Sequence, residues 1–193
     1  MMKNKSENDA GLRLGELAEM VRSGTGGGHP PVDTWNPPHC GDIGLAIRAD
    51  GSWLYRQSPI ERPALVRLFA SVLRKDTDGQ TYLVTPEEKV DVAVADAPFL
   101  AVEMEVSGLA PSQVIIFRTN VDDVITCGPE HPLRFAVDAS TGAIKPYVRV
   151  RGRLDALVTR TLTHELLDMA VMEEPPGIRS GGVLFVIPDG GPP

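Results

Sequence analysis

Leu45-Ala46-Ile47-Arg48-Ala49-Asp50-Gly51-Ser52-Trp53-Leu54-Tyr55 leads into Arg62-Pro63-Ala64-Leu65-Val66-Arg67-Leu68-Phe69-Ala70-Ser71-Val72-Leu73-Arg74, and then into Tyr82-Leu83-Val84-Thr85-Pro86. The order of these three pieces decides the fold. Ile43, Leu45 and Ile47 alternate with smaller or polar residues, Trp53 and Tyr55 do so beyond Asp50-Gly51, and that pair is hairpin chemistry. The next piece spaces Leu65, Leu68, Phe69, Val72 and Leu73 as one helix face, with Pro63 in the first turn, where a missing N–H costs nothing. It predicts a helix from about Arg62 to Arg74, with strands near Gln80 to Thr85 and Val90 to Val94 on either side of Pro86.

The same succession returns downstream. Leu133-Arg134-Phe135-Ala136-Val137 passes through a turn at Thr141-Gly142 to Ile144 and Val150. A helical spacing of Leu154, Leu157, Val158, Leu162, Leu166 and Met169 predicts a helix from about Arg153 to Ala170. Leu184 to Pro188 reads as a last strand. Between the two copies, Phe99 to Val106 alternates Val102, Met104 and Val106 against Glu103 and Glu105, and Gln113 to Arg118 and Val121 to Thr126 continue as strands. Hairpin turns, not long crossovers, join most strands, which argues against a parallel doubly wound sheet. The expectation is an α+β protein built from a duplicated unit.

Upstream, Leu14, Leu17, Ala18 and Val21 form one apolar stripe, so a docking helix precedes the first unit. Thr25-Gly26-Gly27-Gly28-His29-Pro30-Pro31 follows as a linker. It is not a phosphate loop: no Lys-Ser or Lys-Thr comes after the glycines, and they follow a helix where such a loop follows a strand. The expected division is 1–34 for tail, helix and linker, 35–98 for the first sheet-plus-helix motif, and 99–193 for the second.

The 193 residues allow one domain or two small ones, and a compact chain of this size buries about 70% of its unfolded surface. Aromatic residues make up 5%, too few for stacking platforms under single-stranded nucleic acid. The net charge of −7 repels phosphate backbones and anionic lipid, so general nucleic-acid binding and membrane association are not expected. Two cysteines, Cys40 and Cys127, suit reduced thiols. Residues 1–10 lack the apolar core of a signal peptide, and the expected location is the cytoplasm.

Several separate blocks carry a family resemblance. They are Pro38-His39-Cys40-Gly41-Asp42-Ile43, the helical stretch Arg62 to Leu73, Leu83-Val84-Thr85-Pro86, and Asp96-Ala97-Pro98-Phe99-Leu100-Ala101-Val102-Glu103. In that order they resemble the uncharacterised bacterial family catalogued as domain of unknown function 1285, over roughly Trp35 to Val186. The resemblance implies two half-barrel motifs of curved antiparallel sheet plus helix, the second superficially like a pleckstrin-homology domain. It further implies ligand binding, with a signalling role, at the junction between the halves, and it brings no catalytic residue.

No nucleophile, base and orienting group stand at recognisable spacing, so a binding module is favoured over an enzyme, and no cofactor is called for. The alternatives are a small hydrolase or transferase using Cys40 or a carboxylate pair among Glu87, Glu88, Asp91 and Asp96, or a protein-interaction adaptor. Arg149, Arg151 and Arg153 stand at period two and can grip a phosphate or carboxylate bidentately, unless Glu103 and Glu105 pair with them across the sheet. The candidate ligand residues are His39, Asp42, Arg62, Arg149 and Arg151, with a nucleotide-like or other anionic molecule as ligand. A zinc site from His39, Cys40, Cys127 and His131 is disfavoured, because adjacent side chains diverge and no Cys-x-x-Cys occurs. Cys40 reads instead as a small buried residue. His164-Glu165-Leu166-Leu167-Asp168 is similar to a zinc-protease helix but lacks its second histidine, so a solvated helix face is expected.

Overall fold

The computed structural model describes residues 4–24, 30–109, 111–170 and 175–188. The chain divides into two compact units, Met1–Ala95 and Asp96–Pro193.

The first unit opens with helix α1 (Asn4–Gly24) and a short 3-10 turn, Val32–Thr34. Strands β1 (His39–Ile47), β2 (Trp53–Tyr55) and β3 (Ser58–Pro59) form one meander. Helix α2 (Pro63–Ser71) then carries the chain to a second meander, β4 (Leu73–Lys75), β5 (Thr81–Val84) and β6 (Lys89–Val94). The sheet order is β3-β2-β1-β6-β5-β4, antiparallel except that β1 and β6 run parallel at its centre. A parallel pair needs a crossover, and the stretch containing α2 supplies it.

The local chemistry follows the sequence. At the first hairpin the Asp50 carboxylate accepts from the Ser52 amide at 2.9 Å and its hydroxyl at 2.6 Å, while Gly51 takes φ +80°. Leu17 and Val21 of α1, Leu45 and Ile47 of β1, Trp53 of β2, Phe69 of α2 and Leu83 of β5 are almost fully buried. The rings of Trp53 and Phe69 lie 6.5 Å apart. The helix ends earlier than its apolar spacing predicts: Leu73-Arg74-Lys75 leaves it and pairs with β5 as a strand, because those three residues complete the sheet edge.

The second unit repeats this sheet. Strands β7 (Phe99–Ser107), β8 (Val114–Thr119) and β9 (Val124–Thr126) form one meander. A second follows with β10 (Leu133–Val137), β11 (Ile144–Arg151) and β12 (Leu154–Val158). The order is β10-β11-β12-β7-β8-β9, with β7 and β12 parallel at the centre and every other pair antiparallel. Helix α3 (Arg160–Asp168) and a hairpin of β13 (Gly177–Ser180) and β14 (Val183–Val186) complete the unit.

In both units, then, the first strand lies parallel beside the last, each with its own meander outward. This is the duplication, an α+β arrangement of two six-stranded mixed sheets, one of them a half-barrel. The repeat is registered differently from the sequence reading, however. Leu133 to Val150 is equivalent in sheet order to β4 and β5 and not to the hairpin Leu45 to Tyr55. The two helices also occupy different places, α2 between the meanders and α3 after the last strand. The helix expected from Arg153 begins only at Arg160, because Leu154, Ala156 and Val158 alternate inward as a central strand. Its spacing satisfied both periods, and the neighbours on either side, β11 and β7, decided for strand.

Candidate functional site

Of the five residues singled out by the sequence, His39, Asp42 and Arg62 belong to the first unit and Arg149 and Arg151 to the second. His39 and Asp42 are on β1. The Asp42 carboxylate accepts from the Gly44 amide at 2.7 Å, a local turn contact beside a register shift in the β1–β6 pairing. The His39 Nε2 meets Asp91 Oδ1 at 2.7 Å, and its ring stands edge-on to Tyr82 at 5.6 Å.

Around them is a balanced surface network. Asp76 accepts from Arg74 at 2.6 Å and Lys89 at 3.2 Å, and the Lys89 ammonium lies 4.2 Å above the Tyr82 ring. Tyr82 donates its hydroxyl to Asp78 at 2.7 Å, which pushes its pKa up to about 12 and keeps the phenol neutral. Each carboxylate here has a donor, so the network reads as sheet-face structure.

Arg149 donates Nε to Asp155 at 2.5 Å and Nη1 to the Gly152 carbonyl at 2.8 Å. Arg151 donates to Asp123 at 2.9 Å, its guanidinium 5.1 Å from the Phe99 ring centre. Neither uses Glu103 or Glu105 as anticipated. Strand β12 lies between β11 and β7, and the β7–β8 register places Glu103 opposite Arg118, to which it is ion-paired. Arg153 is exposed in the turn between β11 and β12.

The cysteines differ from expectation and from each other. Cys40 is exposed, its Sγ 3.7 Å from the Pro38 carbonyl, and is not the small buried residue its composition implied. Cys127 is fully buried, and burial pushes its thiol up to about 11, which removes it as a nucleophile at neutral pH. The His131 Nδ1 is occupied by the Arg149 carbonyl at 3.0 Å. Among the described residues no group of three or more His, Cys, Asp or Glu side chains is placed to hold a metal ion, and no helix is long and apolar enough to cross a membrane. His164, Glu165 and Asp168 are exposed on α3.

Of the carboxylates offered as an acid-base pair, Glu88, Asp91 and Asp96 are engaged, while the Glu87 side chain is exposed. Asp96 accepts from Lys145 and, at 2.7 Å, from the Tyr147 hydroxyl. Glu88 is only 6% exposed, and its Oε2 accepts from Arg13 of α1 at 2.6 Å.

Of the five, Arg62 lines a cavity in the first unit. A cavity of about 740 Å³ lies within the first unit, walled by α1, by the β2–β3 hairpin and by the first turn of α2. Its volume is in the range of small-molecule pockets. Leu14 and Ala18 of α1, Pro59 and Ile60 after the hairpin, and Ala64 and Leu65 of α2 give it apolar walls.

Three arginines stand in those walls; Arg22 is ion-paired to Glu19, whereas neither the Arg56 nor the Arg62 side chain has a hydrogen bond or ion pair among the described residues. The Arg56 guanidinium lies over the face of Tyr55, 5.3 Å from the ring centre. The Tyr55 residue is 3% exposed and its hydroxyl has no partner among the described residues. Helix α2 begins at Arg62 without a side-chain cap, so the positive end of its dipole is left to the cavity wall.

The hairpin that presents Arg56 is strained. Tyr55-Arg56-Gln57-Ser58 closes β2 onto β3 with both central residues at positive φ, +48° and +71°, where Asn-Gly is the usual choice. The Arg56 amide donates to the Gly44 carbonyl at 2.7 Å, and a Cβ on Gly44 would meet the Arg56 Cγ at 3.1 Å. Sequence reasoning missed Arg56. The available signal was an Arg-Gln pair where a tight turn calls for Asn-Gly.

Two family descriptions match the chain along nearly its whole length. The N-terminal domain of DUF1285, a domain of unknown function, matches residues 30–97, and the C-terminal domain of DUF1285, a protein of unknown function, matches residues 98–187. The crystal structure of a DUF1285 family protein from Silicibacter pomeroyi DSS-3 is similar at 44% identity and a TM-score of 0.82, over 89% of this chain and 93% of that one. A DUF1285 family protein from Shewanella baltica OS155 shares the fold at 24% identity and a TM-score of 0.51, over 65% of this chain and 91% of that one. No curated protein matches.

Proposed function

The chain belongs to the DUF1285 family, and on that premise we propose that it is a binding module for a small organic anion, held in the cavity of its first unit. The observation that carries this is the pair Arg56 and Arg62. Six arginines elsewhere in the described residues, Arg13, Arg74, Arg118, Arg134, Arg149 and Arg151, meet a carboxylate, while Arg48, Arg153 and Arg160 show none but are not in this cavity's wall. Two guanidinium groups that meet none, in the wall of one cavity, are the place where an incoming carboxylate or phosphate gains most, because no existing ion pair has to be broken. Residues held in left-handed conformations persist where the surroundings impose them and cluster at binding sites, which fits Arg56. Catalysis finds no comparable support: Cys127 is held as a thiol, His39 is turned to Asp91, and Glu88 and Asp96 accept from cations.

Thermal denaturation of the purified protein against a library of anionic metabolites tests the reading. A ligand at a hundred times its dissociation constant stabilises by about 2.7 kcal/mol. A shift that Arg62→Gln or Arg56→Gln reduces supports the proposal, whereas no shift, or one equal in wild type and both variants, removes it. Parallel Arg149→Gln and Arg151→Gln variants ask whether the second unit contributes, and the geometry predicts no effect on binding.

A further inference from the structure

Resting on the anion-binding reading, we infer that the ligand carries a single negative charge on a hydrocarbon body, as a medium-chain carboxylate does, and is not a nucleotide. The charge in the wall limits the ligand's charge. Arg22, Arg56 and Arg62 bring three positive charges, but Arg22 is ion-paired to Glu19, and Glu61 stands beside Arg62 at the start of α2. Among the described wall residues the surplus is one positive charge, which a monoanion matches and a di- or triphosphate exceeds, at a repulsive cost against Glu19 and Glu61.

The rest of the wall describes the body. Between α1 and α2 the surface is Leu14, Ala18, Ile60 and Leu65, aliphatic on both sides. A nucleobase would need a ring to stack on, and the single ring in the wall, Tyr55, already has Arg56 on its face. Among the described residues, the glycine in the wall is Gly15 within α1, which is helix and not a phosphate-cradling loop.

Calorimetric titration of the full chain with butanoate, hexanoate and octanoate, and with octan-1-ol and ATP as controls, tests this. Affinity is expected to rise about fourfold for each added methylene, the transfer value for a buried CH₂. Arg56→Gln and Arg62→Gln should each weaken octanoate about tenfold or more, the loss of a charge-assisted hydrogen bond. Both arginines are exposed, so the variants fold. Affinity independent of chain length overturns the inference. ATP binding more tightly than octanoate, and weakened by Arg62→Gln, overturns the ligand class and leaves the anion site standing. Octan-1-ol binding as well as octanoate, or no binding by any probe, overturns both.

Discussion

Glu88 is a carboxylate taken almost wholly out of water, with one oxygen satisfied by Arg13 of α1 and the other without a partner among the described residues. A buried charge tolerates loss of its counter-ion badly, because the desolvation cost stays when the attraction goes. Arg13→Leu is therefore expected to destabilise the protein by about 2–4 kcal/mol, and adding Glu88→Leu should recover much of it. Urea denaturation of the two single variants and the double variant measures this. A double variant as unstable as Arg13→Leu alone would show that packing, not charge, is at stake. The two cysteines separate as sharply. At pH 8 iodoacetamide should label the exposed Cys40 in the native protein and reach Cys127 only in urea, as mass spectrometry would show. Burial raises the folded Cys127 thiol from its ordinary 9.0 to about 11. Its contribution is intact below that ordinary value and is lost as pH rises towards 11, so Cys127→Ala should flatten the alkaline decline in stability.

The β2–β3 hairpin has the most to reveal among the elements. Replacing Gln57, at φ +71°, by glycine removes the penalty on a side chain in the left-handed region and should stabilise by about 1 kcal/mol. Gly44→Ala works in the opposite sense. Its φ of +87° and its contact with Arg56 predict a loss of more than about 1 kcal/mol and weaker ligand binding, since the guanidinium would be displaced. Chemical denaturation gives both signs, and a Gln57→Gly that destabilises would show that the turn carries no strain. Elements whose chemistry is local were legible in the sequence: the Asp50-Gly51 turn, Pro63 opening α2, and strands β5 and β6 between turn residues. Leu154 to Val158 was not, because its apolar residues satisfy two periods and only its neighbours in the sheet choose between them. Arg56 and the burial of Glu88 were opaque for the same kind of reason. A charged residue in a sequence looks solvated until tertiary structure pairs it, buries it or leaves it beside a cavity.

At the scale of the molecule, two sheets share one strand order, and the sequence showed the repetition without its register. Succession along the chain is visible in a string of residues, but which strands become neighbours is not, and each central pair joins the first strand of a unit to its last. Contacts so distant in sequence slow folding, so refolding is expected in milliseconds to seconds, not microseconds. Stopped-flow fluorescence from Trp53, buried in β2, follows the first unit, and a submillisecond single phase recovering the native signal would contradict this.

The closing strand also governs what happens while the protein is being made. About forty residues separate the end of β1 from the start of β6, and at about 5–20 residues per second the ribosome needs on the order of 2–8 s to deliver them. Through that interval the inner edge of β1 has no partner and is open to any other extended chain in the crowd around the exit tunnel. The two register shifts in β1, between His39 and Gly41 and between Asp42 and Leu45, break the regular row of donors and acceptors that a foreign strand would have to match. The irregularities that make β1 a poor template for strangers thus guard the nascent chain until β6 emerges to claim the edge.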